Sequence, residues 1–213
     1  MERTQLVLAY DFICPWCWIG HRNLKAGAKI ADCENRYDTI FLPFELNPGM
    51  PRGGMNRRAY RTRKFGSLAH SDMLDAAVTA AGVAADVHFD FSRIELTPNT
   101  RLAHRLIHHA LGAGTPGQAE QLYDAIFGAY FAQGRDIGEL ATLVDLAASE
   151  GFDADAARTY LDSDAGDIDV KASRVKADAL GIRSVPTILV DKFIVNGAQP
   201  PVVFAKALQG RFA

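Results

Sequence analysis

Hydrophobic positions along the chain change their period twice. Near the start, Gln5-Leu6-Val7-Leu8-Ala9-Tyr10 is a short apolar, β-prone run, the pattern of a buried strand. Over residues 18–29 the apolar positions fall at Trp18, Ile19, Leu24 and Ala28, with no proline, which predicts a helix. Residues 39–46 return to a strand-like run, and Pro43 inside it marks an edge or a bulge. Asn47-Pro48-Gly49-Met50-Pro51-Arg52-Gly53-Gly54 then breaks the pattern.

Residues 56–167 carry no strand ladder, apart from an extended stretch expected over 86–91. Helical stripes run through Leu102, Leu106, Ile107 and Ala110, through Leu122, Ile126, Phe127, Tyr130 and Phe131, and through Leu140, Leu143, Val144 and Ala147. Such stripes are core before they are ligand boxes. A short amphipathic helix is expected over 153–161 and another helix over 167–180, closed by Gly181. Thr187-Ile188-Leu189-Val190 reads as a strand, Asp191-Lys192 as a tight turn, and Phe193-Ile194-Val195 as its antiparallel partner. A last helix is expected over 202–208. Without the helical block this order is β-α-β followed by α-β-β-α, the α/β arrangement of a thioredoxin fold with a large inserted α-helical domain. The expected boundaries are 1–47 and 168–213 for the two parts of the thioredoxin fold, with 48–167 as the helical insertion.

Composition changes this picture little. The 213 residues are 48% hydrophobic and 23% charged, globular averages that exclude wholesale disorder. A net charge of −2 gives no general attraction to nucleic acid or an anionic membrane. No run of about 18 apolar residues is present to span a bilayer. Met1-Glu2-Arg3-Thr4 leads straight into the first strand without the features of a secretory signal. The expected compartment is therefore the cytoplasm, where a dithiol rests reduced. A monomer and a homodimer are equally compatible with the sequence.

The chemistry gathers at the first change of period. Cys14-Pro15-Trp16-Cys17 sits where the first strand ends and the first helix begins. A helix N-terminus has unpaired N–H groups and a positive dipole end, and both stabilise an anion. Cys14 at the cap is thus the expected nucleophile. Pro15 suits the first helical position. Cys17, one turn on, shares a helix face with Cys14 and is placed to close a disulfide with it. A zinc site needs two further ligands at comparable spacing, and only Cys33 remains. The pair therefore reads as a redox dithiol first, with metal binding and packing as alternatives. No metal and no cofactor is expected beyond the dithiol itself, apart from glutathione as a co-substrate.

The runs Asp11-Phe12-Ile13-Cys14-Pro15-Trp16-Cys17-Trp18-Ile19-Gly20, Phe44-Glu45-Leu46-Asn47-Pro48 and Pro98-Asn99-Thr100-Arg101-Leu102-Ala103-His104-Arg105-Leu106 carry a family resemblance. Gly181-Ile182-Arg183-Ser184-Val185-Pro186-Thr187 and Asn196-Gly197-Ala198-Gln199-Pro200 extend it across nearly the whole chain. The sequence resembles the DsbA family of thiol–disulfide oxidoreductases, in its cytosolic FrnE-like branch. The resemblance implies a cis Val185–Pro186 bond facing Cys14 and Cys17, so Pro186 joins the expected catalytic set. Pro15, Trp16 and Val185 are the expected substrate contacts, the turn exposing the backbone groups of Val185 to pair with an extended substrate. The expected substrates are proteins or small molecules with thiols or disulfides, and the expected direction is reduction or isomerisation. The similar 2-hydroxychromene-2-carboxylate isomerases and kappa-class glutathione transferases use a serine near the position of Cys14. They supply the alternative of a glutathione-dependent isomerase or transferase. A non-catalytic metal-binding protein is the other alternative.

Further residues invite weighing. Asp11 and Glu45 are candidate carboxylates to relay a proton for Cys17. His104 and His108, four apart, read as packing or surface histidines. Arg52, Arg57, Arg58, Arg61, Arg63 and Lys64 form a basic run with no acid between Leu46 and Ser71. It reads first as a solvated helix face, and second as an electropositive rim that attracts acidic substrates or glutathione carboxylates. Trp18 is expected to pack inward and Cys33 to be a buried structural thiol.

Overall fold

The computed structural model describes residues 4–34, 36–191 and 193–210. Strand β1 (Thr4–Tyr10) leads into helix α1 (Pro15–Ile30) and strand β2 (Tyr37–Pro43). Far along the chain come β5 (Thr187–Val190), β6 (Phe193–Asn196) and a final helix, α9 (Pro201–Leu208). The four strands form one sheet in the order β2-β1-β5-β6. β1 runs parallel to β2 and antiparallel to β5, with Leu6 opposite Val190 and Ala9 opposite Thr187. β1 is central because its run is apolar on both faces, and Leu6, Leu8, Ala9 and Tyr10 are all fully buried. β2 lies at an edge, as Pro43 indicates, but covers 37–43 rather than 39–46. Lys192, expected in the β5–β6 turn, lies outside the described residues, as does Met1.

Between the two parts of the sheet lie α2 (Arg57–Phe65), α3 (Leu68–Ala84), α4 (Arg101–Ala113), α5 (Pro116–Phe131), α6 (Leu140–Ser149) and α7 (Ala154–Asp162). Helix α8 (Asp167–Ala179) returns the chain towards the sheet. Two short strands depart from the expectation of an all-helical block: β3 (Met55–Asn56) pairs antiparallel with β4 (Leu96–Thr97). Two residues are too few to show a period. The stretch 86–91 ends in a 3₁₀ turn, Phe91–Arg93, capped by Asp90. One apolar core runs from the sheet into the helical block and contains Leu6, Tyr10, Phe12, Trp18, Tyr123 and Phe127. Trp18 turns inward as expected, stacked on Phe127 with ring centroids 6.2 Å apart and meeting Phe89 edge-on.

Candidate active site

Cys14 is the N-cap of α1, with extended backbone (φ −99°, ψ 103°), and Pro15 opens the first turn. The Cys14 amide donates to the Asp11 carbonyl at 3.0 Å, and the Cys17 amide donates to the Cys14 carbonyl at 3.0 Å. These bonds lock the turn between strand and helix. No acidic residue stands in the first turn of α1, so nothing there opposes an anion at the cap. Cys14 keeps 7% of its surface exposed, whereas Cys17 keeps none. Burial pushes the Cys17 thiol well above its usual range, and the neighbouring Cys14 adds to the shift. The two sulfurs therefore differ in access and in environment, although they share a helix turn.

The loop before β5 faces this turn. The Val185–Pro186 bond is cis. The Cys14 thiol donates to the Val185 carbonyl at 3.7 Å. A side chain at Gly20 would stand 3.1 Å from the Pro186 ring, so the bare backbone of α1 lets the proline approach. The loop is held from behind. The Pro186 carbonyl accepts from the Gly197 amide at 2.8 Å. The Thr187 hydroxyl lies 2.8 Å from the Ser184 carbonyl and 2.9 Å from Asn196 Oδ1. Asn23 of α1 donates to the Gln199 carbonyl at 2.9 Å. Residues 171 positions apart thus meet through backbone anchors on both sides.

Asp11 lies fully buried beside this turn. Its Oδ2 accepts from the Leu46 amide at 2.7 Å, and its Oδ1 lies 3.2 Å from His104 Nε2. His104 is a buried packing histidine, as expected, and the pairing also gives Asp11 a titratable neighbour. Its other ring nitrogen has no partner among the described residues, and the same holds for the hydroxyls of Tyr10 and Tyr123. Glu45 is differently engaged. Arg101 grips both of its oxygens, at 2.8 and 2.6 Å, and reaches Asp167 at 2.9 Å. A carboxylate held by a bidentate guanidinium is a clamp, and of the two candidates Asp11 is the one that no arginine holds among the described residues. His108 is exposed and bonded to the Tyr160 hydroxyl at 2.8 Å. Cys33 departs from expectation: it is partly exposed, with its sulfur 3.6 Å from the Ala28 carbonyl.

The basic run is also not simply a solvated face. Arg57 and Arg61 are only 13% and 14% exposed, and each meets a carboxylate oxygen of Asp75 at 2.6 Å. Sequence reasoning missed Asp75, which lies on α3 beyond the acid-free stretch. It also missed His21, which is buried on α1 and bonded to Glu120 at 2.9 Å and Asp124 at 3.2 Å. The available signal was its position four residues after Cys17, on the same helix face. A pocket beside Cys14 is lined on one side by Ile13, Pro15 and Trp16, which is 39% exposed, and on the other by α2. Among the described residues, no three His, Cys, Asp or Glu side chains converge as a metal site. No described helix is long and apolar enough to cross a membrane.

Comparison with known proteins agrees with this geometry. The family described as DSBA-like thioredoxin domain matches residues 5–209. The chain is 27% identical to a probable DsbA oxidoreductase, SCO1869 from Streptomyces coelicolor, with a TM-score of 0.89 over 98% of this chain and 90% of that one. The cytosolic disulfide reductase DsbM from Pseudomonas aeruginosa shares the fold, with a TM-score of 0.67 at 17% identity over 97% of this chain and 98% of that one. The uncharacterized protein YwbO of Bacillus subtilis is 23% identical over 93% of this chain and 92% of its own length.

Proposed function

Because the chain belongs to the DSBA-like thioredoxin domain family, whose members are thiol–disulfide oxidoreductases, we propose that it reduces or isomerises disulfides through Cys14 and Cys17. The observation that carries this reading is the unequal pair: a cap cysteine that keeps 7% of its surface exposed over a cysteine buried completely. Cys14 attacks as the thiolate. A bond forms from its sulfur to one substrate sulfur, the substrate S–S bond breaks, and the other half leaves as a thiolate that takes up a proton. Cys17 then gives up its proton and attacks the Cys14 sulfur. The second half leaves, and the enzyme holds the disulfide. The substrate has gained two electrons and two protons, which the dithiol has lost. A cellular thiol such as glutathione restores the pair. Trp16 and Pro15 contact the substrate, and the backbone of Val185 pairs with it. Pro186 shapes the loop that presents that backbone.

The cytosol is the compartment we assign, because the thiol pools there keep such a pair reduced. The name of DsbM, a cytosolic disulfide reductase of this fold, supports that direction. The glutathione-dependent isomerases use a serine near the position of Cys14, where this chain keeps a cysteine. The metal-binding alternative needs further ligands, yet among the described residues no three His, Cys, Asp or Glu side chains converge. The test is a pair of variants incubated with cell extract. Cys17→Ser should accumulate mixed disulfides, and Cys14→Ser should lose exchange altogether. Brief alkylation of the reduced protein at mildly acidic pH should mark Cys14 before Cys17 and Cys33, read by peptide mass. Full reductase activity in Cys14→Ser would end this reading.

A further inference from the structure

Cys14 shares its pocket with a basic helix. The pocket measures about 240 Å³, just under the roughly 300–1,000 Å³ of ordinary small-molecule sites. Arg57, Arg61 and Lys64 stand at positions i, i+4 and i+7 of α2 and line it from one side. Asp75 also lines it and binds both arginines. Three cations thus face one carboxylate, which leaves two positive charges in excess. Asp75 offsets one charge and fixes both guanidiniums in place. Arg57 lies over the Phe91 ring at 5.2 Å and Arg61 over Phe65 at 4.4 Å. The Lys64 ammonium touches the Tyr60 hydroxyl at 2.8 Å and is exposed to solvent. A cleft with aromatic walls and a net positive charge concentrates ligands of the opposite sign.

Resting on the oxidoreductase reading above, we propose that this pocket selects small disulfides and thiols that carry a carboxylate. The reacting sulfur lies at Cys14, and the carboxylate pairs with Lys64 beside the held guanidiniums. The pocket is too small for an extended polypeptide, which needs an open edge along its length. It receives one half of a small disulfide. That half stays bound through its bond to Cys14, while the other leaves as the thiolate with the electron pair of the broken S–S bond. Cys17 then frees the bound half.

Three small disulfides of similar length test the charge: 3,3′-dithiodipropionate, bis(2-hydroxyethyl) disulfide and cystamine, which are anionic, neutral and cationic. Each rate with the reduced protein is divided by the rate of dithiothreitol with the same compound, which removes intrinsic reactivity. The corrected rate should favour dithiodipropionate over cystamine by about tenfold at low salt. The preference should shrink at about 0.5 M salt. Lys64→Glu should abolish or invert it, and Lys64→Gln should fall between. Equal corrected rates for the three compounds, a preference for cystamine, or an anion preference that survives Lys64→Glu would overturn the proposal and leave the exchange chemistry standing. A neutral disulfide-linked peptide that outruns dithiodipropionate would overturn it too, and assign the pocket to polypeptides. No exchange with any compound would instead remove the oxidoreductase reading itself.

Discussion

At the scale of single residues, the resolving step proposed for Cys17 depends on how its buried thiol loses its proton. Burial holds that thiol well above its usual range, Cys14 adds to the shift, and the charge of Asp11 is the smallest of the causes that raise it. Asp11 therefore acts on Cys17 in two opposite ways. Its charge adds a little to the raised value, whereas its carboxylate, paired with His104, is the base proposed for Cys17. Asp11→Asn keeps an acceptor for the Leu46 amide and separates these effects. If Asp11 accepts the proton, release of a trapped mixed disulfide should slow by about a hundredfold in the variant, the usual worth of a positioned base. Stopped-flow measurement of that release decides, because a faster release would mean that Asp11 acts by charge alone. Cys14 at a helix cap and Cys17 one turn on were legible in the sequence, because each depends on local chemistry, and the cis bond before Pro186 was legible through the family resemblance. The partners of Asp11 and Glu45 were not. His104 and Arg101 come from α4, 93 and 56 residues away, and only the fold brings them in.

At the scale of elements, α1 is pinned on two sides. Towards α5 it presents His21. Burial alone would lower the His21 pKa, but hydrogen bonds to Asp124 and Glu120 outweigh it and leave the value raised. Lys25 lies 3.5 Å from Glu120 and Arg22 lies 3.4 Å from Asp124. Glu120 and Asp124 are buried enough to be raised by desolvation, but their bonds to His21 lower both on balance. A raised histidine stabilises the fold fully below its unfolded pKa of about 6.5. That stability is lost as pH rises through the folded value. The slope is at most about 1.4 kcal/mol per pH unit within that window. The two carboxylates contribute above about pH 4, and their contribution fades as pH falls through their lowered values. Urea unfolding of the wild type from pH 6 upward should show the decline, and His21→Gln should flatten it. An unchanged decline in the variant would assign it to other groups. Towards α9, α1 presents Gly27, where a methyl would stand 2.6 Å from the Pro201 carbonyl and 2.7 Å from Phe204. Gly27→Ala should cost about 1–3 kcal/mol from overpacking, partly offset by about 1 kcal/mol of helix propensity, and chemical denaturation reads the balance. The elements themselves were largely legible. The four strands of the main sheet and most helices fall within a few residues of the periodicity. The β3–β4 pair was too short to show, and the pairing of Arg57 and Arg61 with Asp75 was invisible while the basic run was read alone.

At the scale of the whole molecule, one apolar core joins the sheet to the helical block through Tyr10, Phe12, Tyr123 and Phe127. The chain is divided in sequence but shares this core. Unfolding should therefore be one transition, with tryptophan fluorescence from Trp16 and Trp18 coinciding with loss of helical circular dichroism. Separate midpoints would mean that the helical block melts alone. The pairing of β1 with β5 bears on the order of events during synthesis. The Val185 carbonyl that meets the Cys14 sulfur, and β5 after it, are made some 170 residues later than Cys14 and Cys17. At roughly 5–20 residues per second, that interval is about 10–35 s. For that time the nascent chain carries an unshielded dithiol. A ribosome-stalled chain that ends before β5 should accordingly take up alkylating agent at Cys17, which the complete protein hides.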